Sequence, residues 1–282
     1  MKYFIVNDGF KRRICTALCI VMPAFVLCLT TACNSISNES IIVAGSTSVQ
    51  PFAEVLAEEY MILHPDITID IQGGGSAAGI MAARSGTAEI GMSSRGLKDE
   101  EKDLWSIEIA RDGLAVIINP KNPIYDLTLN QVRDIYKASI TDWSQLGGPK
   151  AKIHVIAREE GSGTRTAFED LVMDKILITP KAIVQDSNGA VRQLVADDPN
   201  AIGFVSMGLV NERVKALSLG GVAATRENVF NGSYGLSRPF LFIARSQPTG
   251  NAKQFIDFIL SAEGQKMLAA EGLIPSAGGA EK

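Results

Sequence analysis

The sequence predicts an α/β protein in two blocks, each a mainly parallel sheet flanked by helices. Three observations predict it. Apolar runs of strand length alternate with segments whose apolar residues recur at helical spacing; the breakers Asn119-Pro120 and Asn122-Pro123 divide the chain; and a late apolar run, 240–244, follows the second block. A strand and helix that alternate in this way make βαβ units, whose parallel strands are covered by their own crossover helices.

Each element has its own signal. Residues 41–44 are a short apolar run, and Phe52, Val55, Leu56, Tyr60 and Leu63 recur at helical spacing until His64-Pro65 stops the helix. Ile67, Ile69 and Ile71 alternate as a strand does, 76–84 is a short Ala-rich helix, and 89–93 is a strand again. Residues 114–118 form the strand that runs into the Asn-Pro breaks. Beyond them Thr128 and Gln131 make a capping box ahead of Val132, Ile135 and Tyr136. A strand at 153–157, helices from about Ser162 and over 190–196, and a strand at 202–205 continue the rhythm. After 240–244 come helices at 252–260 and 263–271, the second stopped by Gly272. If 240–244 returns to the first sheet, two crossings join the blocks and form a hinge; a simple tandem of two domains is the alternative.

The chain has 282 residues, 46% hydrophobic and 21% charged, which excludes disorder as its main state. Its beginning reads differently. Lys11, Arg12 and Arg13 precede an apolar stretch over 14–29 and small residues up to Ala32-Cys33, the layout of a secretory signal peptide over 1–32. The stretch contains Pro23 and is shorter than the roughly 20 residues a membrane span needs. Leu29-Thr-Thr-Ala-Cys33 resembles a bacterial lipobox, with Thr30 where the motif prefers an aliphatic residue. Cys15, Cys19 and Cys28 lie inside the leader and Cys33 is the last cysteine, so no internal disulfide is left to the mature chain. Lipidation of Cys33, followed by a tether over 33–40, is therefore expected. Cleavage removes Lys2, Lys11, Arg12, Arg13 and Asp8, which takes the net charge from −4 to −7. Such a balance argues against nucleic acid as a partner.

Enzyme signatures are scarce. His64 and His154 are the two histidines, one before a proline and one inside a strand, and there is no P-loop and no Cys/His metal cluster. Gly161-Ser162-Gly163 lacks the spacing of a nucleophile elbow. No cofactor and no metal are expected.

Four Gly/Ser/Thr-rich turns carry the chemistry, each placed between a strand and a helix: Gly45-Ser-Thr-Ser48, Gly73-Gly-Gly-Ser76, Gly91-Met-Ser-Ser-Arg95 and Arg158-Glu-Glu-Gly-Ser-Gly-Thr164. The first N–H groups of a helix have no partner within it and carry the positive end of its dipole, so small residues there admit an anion. Capping alone explains any one such turn. Four at the carboxyl ends of strands, where open α/β sheets bind ligands, point to an oxyanion site. Arg158 follows an apolar strand directly, and a buried guanidinium there needs an anion or a carboxylate. Glu160 is the expected partner.

These turns, together with Ala110-Arg-Asp-Gly113 and Ser237-Arg-Pro239, resemble the successive motifs of the phosphate-binding protein of bacterial phosphate ABC importers, in order from about residue 41 to the end. The resemblance implies a two-lobed, type II periplasmic-binding fold, with one lobe over 41–118 and 237–282 and the other over 119–236. It implies a phosphate site of Thr47, Ser48, Ser76, Ser94, Arg158, Ser162, Gly163 and Thr164. Some members have an aspartate at the position of Ser94, which accepts the proton of monohydrogen phosphate. Asp112, or else Glu160, is expected to replace it in excluding sulfate. The implied function is binding of inorganic phosphate and delivery to the membrane subunits of an ABC importer, by a monomer held to the membrane through Cys33. Sulfate, molybdate or tungstate is the alternative ligand. A phosphatase using the same cradle and a surface adhesion or sensing module are the alternative classes.

Overall fold

The computed structural model describes residues 39–276, so the leader, Cys33 and most of the tether lie outside the described residues. The first strand begins earlier than expected, at Glu39, because β1 (Glu39–Gly45) pairs along its whole length with β2 (Ile67–Gly73). Between them α1 (Gln50–Leu63) buries Phe52, Leu56 and Tyr60, which lie one above another at i, i+4 and i+8. Next come α2 (Ser76–Ser85) and β3 (Ile90–Ser93), which pairs parallel with the other side of β1. Gly79 lets α2 lie against the sheet: a Cβ there would stand 2.6 Å from the carbonyl oxygen of Ala44 and 2.7 Å from the Cα of Gly45. That close approach sets Ser76 at the carboxyl ends of the strands.

β4 (Trp105–Ile118) is far longer than the strand expected at 114–118. Residues 105–113 pair antiparallel with β11 (Ser237–Ala244), and 114–118 pair antiparallel with β8 (Ala201–Ser206). The ladder thus changes partner at Gly113, six residues before Asn119, the break from which the second block was expected to begin. Ala110-Arg-Asp-Gly113 is the stretch of β4 that leads into this exchange. β11 also pairs with β3, so the late apolar run does return to the first sheet.

The second half holds β5 (Asp126–Leu127), α3 (Leu129–Tyr136), β6 (His154–Arg158), α4 (Gly163–Phe168), β7 (Ile183–Gln185) and α5 (Asn188–Asp197) ahead of β8. β9 (Lys215–Ala216), β10 (Ser218–Leu219) and α6 (Arg226–Phe230) follow it, and α7 (Gly250–Leu260), α8 (Ala262–Ala270) and β12 (Ile274–Pro275) follow β11. The strand order is β2-β1-β3-β11-β4-β8-β6-β7. Each half has the expected parallel strands, β2-β1-β3 and β8-β6-β7, but β4 and β11 add antiparallel pairs at the centre. A chain that leaves one half and returns to it needs two oppositely directed crossing strands.

The halves have separate cores. Phe52, Tyr60, Phe240, Phe242 and Phe255 fill the first; Tyr136, Phe168 and Phe204 fill the second, the last two stacked at 4.1 Å. The expected capping box is present: the Thr128 hydroxyl accepts from the N–H of Gln131 at 3.2 Å, and Gln131 Oε1 accepts from the N–H of Thr128 at 2.7 Å. Thr128→Ala is expected to cost about 1 kcal/mol in urea denaturation. A loss below a few tenths would show that α3 does not depend on its cap.

Candidate functional site

Where the carboxyl ends of β1, β2, β3 and β6 meet, the two halves touch through polar side chains. Ser48, in the turn before α1, lies 2.7 Å from Thr164 at the start of α4, oxygen to oxygen. Arg158, the last residue of β6, donates from Nη2 to Thr47 Oγ1 at 3.2 Å. The N–H of Ala77 donates to the carbonyl of Gly161 at 3.1 Å. Gly163 packs directly on Ser76 and Ser94, and Ser76 Oγ accepts from the N–H of Ser94 at 3.0 Å. Ser162 caps α4 by accepting from the N–H of Arg165. All eight residues expected at the site are thus brought together, and Ser48, Ser76, Ser94, Arg158, Ser162 and Thr164 are buried.

Three expectations are corrected. The Gly91–Arg95 turn starts no α-helix; after β3 the chain stays irregular up to a single 3₁₀ turn, Asp99–Glu101, held by the two-point pairing of Arg95 with Glu101. Arg158 is paired by Glu159, not Glu160: Nε and Nη2 donate to the two Glu159 oxygens at 2.8 Å each, while Glu160 is exposed. The alternation of a strand would put residue i+2 on the same face, but β6 ends at Arg158 and the following turn swings Glu159 back. Asp112 is neither a partner of Arg158 nor a free proton acceptor. Its Oδ2 accepts from Nε and Nη2 of Arg238 at 3.1 and 2.9 Å, and its Oδ1 accepts from the Ser206 hydroxyl at 2.9 Å. The Met207 N–H donates to the same carboxylate. Burial raises the Asp112 carboxyl above its usual value, opposed by the attraction and hydrogen bonds of Arg238.

Two residues enter the site without having been singled out. Arg238, in the Ser237-Arg-Pro239 motif, reaches the site through Asp112 and Ser48. Asn188, the first residue of α5, donates from Nδ2 to Ser48 Oγ at 2.8 Å and to Thr47 Oγ1 at 3.3 Å, while its Oδ1 accepts from the N–H of Ser206. The signal available for it was an Asp-Ser-Asn-Gly turn ahead of a helical pattern.

The network has a direction. Ser48 Oγ accepts from Asn188 and also from Arg238 Nη2 at 3.2 Å, which fills both lone pairs, so its own hydrogen goes to Thr164. Thr47 likewise accepts twice. The hydroxyl hydrogens of Thr47 and Thr164 are therefore left without an acceptor among the described residues and can donate. Nη1 of Arg158 and Nη1 of Arg238 are both buried and have no hydrogen-bond partner among the described residues. A buried guanidinium edge left unpaired is costly unless an acceptor completes it. The site therefore presents donors from side chains of both halves, and its carboxylates face away, engaged with the arginines.

Two α/β halves joined by a pair of crossing strands and closed on buried donors define a solute-binding protein of the periplasmic-binding class, with an oxyanion as the fitting ligand. Residues 33–263 match the family model of the PBP superfamily domain. The chain is 32% identical over 245 residues to the phosphate-binding protein PstS of Bacillus subtilis (strain 168), covering 85% of this chain and 81% of that one. A solved phosphate ABC transporter substrate-binding protein with bound phosphate from Clostridium perfringens is similar at a TM-score of 0.81 and 46% identity, over 84% of this chain and all of that one. An ABC-type phosphate transport receptor from Vibrio cholerae is similar at 0.70 and 39%, with the same coverage. The chain belongs to the phosphate-binding protein PstS family within the PBP superfamily.

Proposed function

We propose that the chain is an extracytoplasmic solute-binding protein that holds inorganic phosphate between its two lobes and hands it to the membrane subunits of an ABC importer. The observation that carries this is the pair of buried guanidinium edges, Arg158 Nη1 and Arg238 Nη1, beside the free hydroxyl hydrogens of Thr47 and Thr164. Phosphate has several acceptor oxygens and two negative charges to spread over such donors. The ligand sites are Thr47, Ser48, Ser76, Ser94, Arg158, Ser162, Gly163 and Thr164. Cross-lobe contacts such as Ser48 to Thr164 form only when the lobes meet, so a ligand that needs donors from both lobes favours closure, and the closed form is what an importer can recognise.

The lobes divide where the ladder changes partner: 39–112 with 238–276 on one side and 114–236 on the other. The leader exports the chain, and lipidation of Cys33 anchors it, as a monomer, to the outer face of the membrane. Binding involves no reaction. His64 packs against Tyr60 with the ring centroids 4.2 Å apart and the planes tilted by 30°, and His154 pairs with Asp198 at 2.6 Å, so both histidines of the chain serve the fold.

Calorimetric titration of protein stripped of endogenous anion tests this. Phosphate is expected to saturate one site per chain; absence of binding overturns the reading. Sulfate is the second titrant, because the carboxylates at the cradle are already engaged by arginines.

A further inference from the structure

Arg238 and Arg158 are built alike. Each is almost wholly buried, at 2% and 1% exposure. Each spends Nε and Nη2 on a carboxylate, Asp112 for one and Glu159 for the other. Each also gives Nη2 to a hydroxyl of the turn before α1, Ser48 or Thr47. Each leaves Nη1 buried without a partner among the described residues. Two guanidinium groups of like charge thus flank adjacent residues of one turn, near enough that Arg158 lowers the pKa of Arg238, though less than burial does. Their charges are balanced by Glu159 and Asp112, so what is left over is the two unsatisfied N–H edges, which call for an acceptor. Phe240 lies under Arg238 with its ring centroid 5.4 Å from Cζ, which helps fix the plane of the fork.

The position of the pair adds a second argument. Arg238 on β11 is opposite Asp112 on β4, one residue from the point where β4 changes partner. A strut needed only to hold the crossing strands together could use apolar side chains, which serve at least as well in a buried position. A charged fork with one edge turned away from its carboxylate is suited instead to a ligand.

We propose that Arg238 is a second anion-binding guanidinium of this site and that Asp112 is its positioning residue, so that the oxyanion is held by Arg158 of one lobe and by Arg238 on a crossing strand. The proposal rests on the anion-binding reading of the cleft. It takes from Asp112 the role of proton acceptor: its oxygens already receive Arg238, Ser206 and the Met207 N–H, so selectivity between phosphate and sulfate does not come from this carboxylate.

The test titrates phosphate and sulfate into wild type, Arg238→Lys, Asp112→Asn and the double variant Arg238→Gln/Asp112→Asn. The double variant replaces the ion pair by uncharged groups of similar shape and leaves no unpaired charge. Loss of the Arg238 fork is expected to weaken phosphate about 10- to 100-fold in Arg238→Lys and in the double variant, as befits a charge-assisted hydrogen bond removed from a buried site. Asp112→Asn is expected to weaken phosphate and sulfate by the same factor. Phosphate binding within twofold of wild type in both Arg238 variants overturns the proposal. A loss confined to phosphate in Asp112→Asn restores the carboxylate as proton acceptor and overturns its positioning role. If wild type binds no oxyanion at all, the reading beneath falls and the proposal with it; wild-type binding with unaffected variants sinks the proposal alone.

Discussion

Gly163→Val is expected to raise the phosphate dissociation constant about 100-fold while changing the unliganded melting temperature little. A Cβ on Gly163 would stand 2.7 Å from Ser94 Oγ and 3.0 Å from Ser76 Cβ, and closer still to Ser76 Oγ. All three atoms belong to the other lobe, and the Ser76 and Ser94 side chains are fully buried, with no room to give way. Overpacking of this kind costs about 3 kcal/mol at the upper end of its usual range, or roughly two decades in affinity. The clash exists only where the lobes meet, so the open form escapes it. Titration calorimetry and a melt without ligand check the two halves of the expectation. Wild-type affinity in this variant would mean that the lobes do not close on Gly163.

Asp112→Ala is expected to be the most destabilising single change at the site. It removes the carboxylate from Arg238, which is 2% exposed, and leaves a guanidinium charge buried with only the Ser48 hydroxyl as an assigned acceptor. Breaking a buried ion pair on one side costs about 3–5 kcal/mol, which for a domain of this size lowers Tm by roughly 6 to 20 °C. Adding Arg238→Gln is expected to restore part of the loss, since the second change removes the stranded charge. Urea denaturation of the single and double variants measures both. A loss under about 1 kcal/mol in Asp112→Ala would show that the pair contributes little.

Local patterns in the chain were legible where one element supplies its own evidence. The spacing of Phe52, Leu56 and Tyr60 names a buried helix face, Thr128 and Gln131 name a helix start, and the glycine-rich turns name the carboxyl ends of strands. What escaped depends on partners far along the chain. The first nine residues of β4 contain Glu108, Arg111 and Asp112, which break the apolar signal of a strand; Asp112 is tolerated because Arg238 stands opposite it, 126 residues on. Asn188 joins the site by reaching Ser48, 140 residues away. Glu159 displaced Glu160 because strand alternation, sound within β6, ceases one residue too soon. Arg158 was recognisable because a charged residue directly after an apolar strand is a local anomaly. Arg238 offers the same chemistry, but nothing local to Ser237-Arg-Pro239 shows the carboxylate that it meets on β4.

The exchange of ladder partners at Gly113 also bears on how the proposed closure would move the two guanidinium groups. When two bodies rotate about a pivot, an atom moves in proportion to its distance from the axis. Arg238 sits on a crossing strand one residue from the exchange point, whereas Arg158 ends β6, which reaches β4 only through β8, so in the proposed closure Arg158 would move more than Arg238. On the proposed reading, Arg238 is the contact an oxyanion could make before closure, and Arg158 is the contact that closure would add.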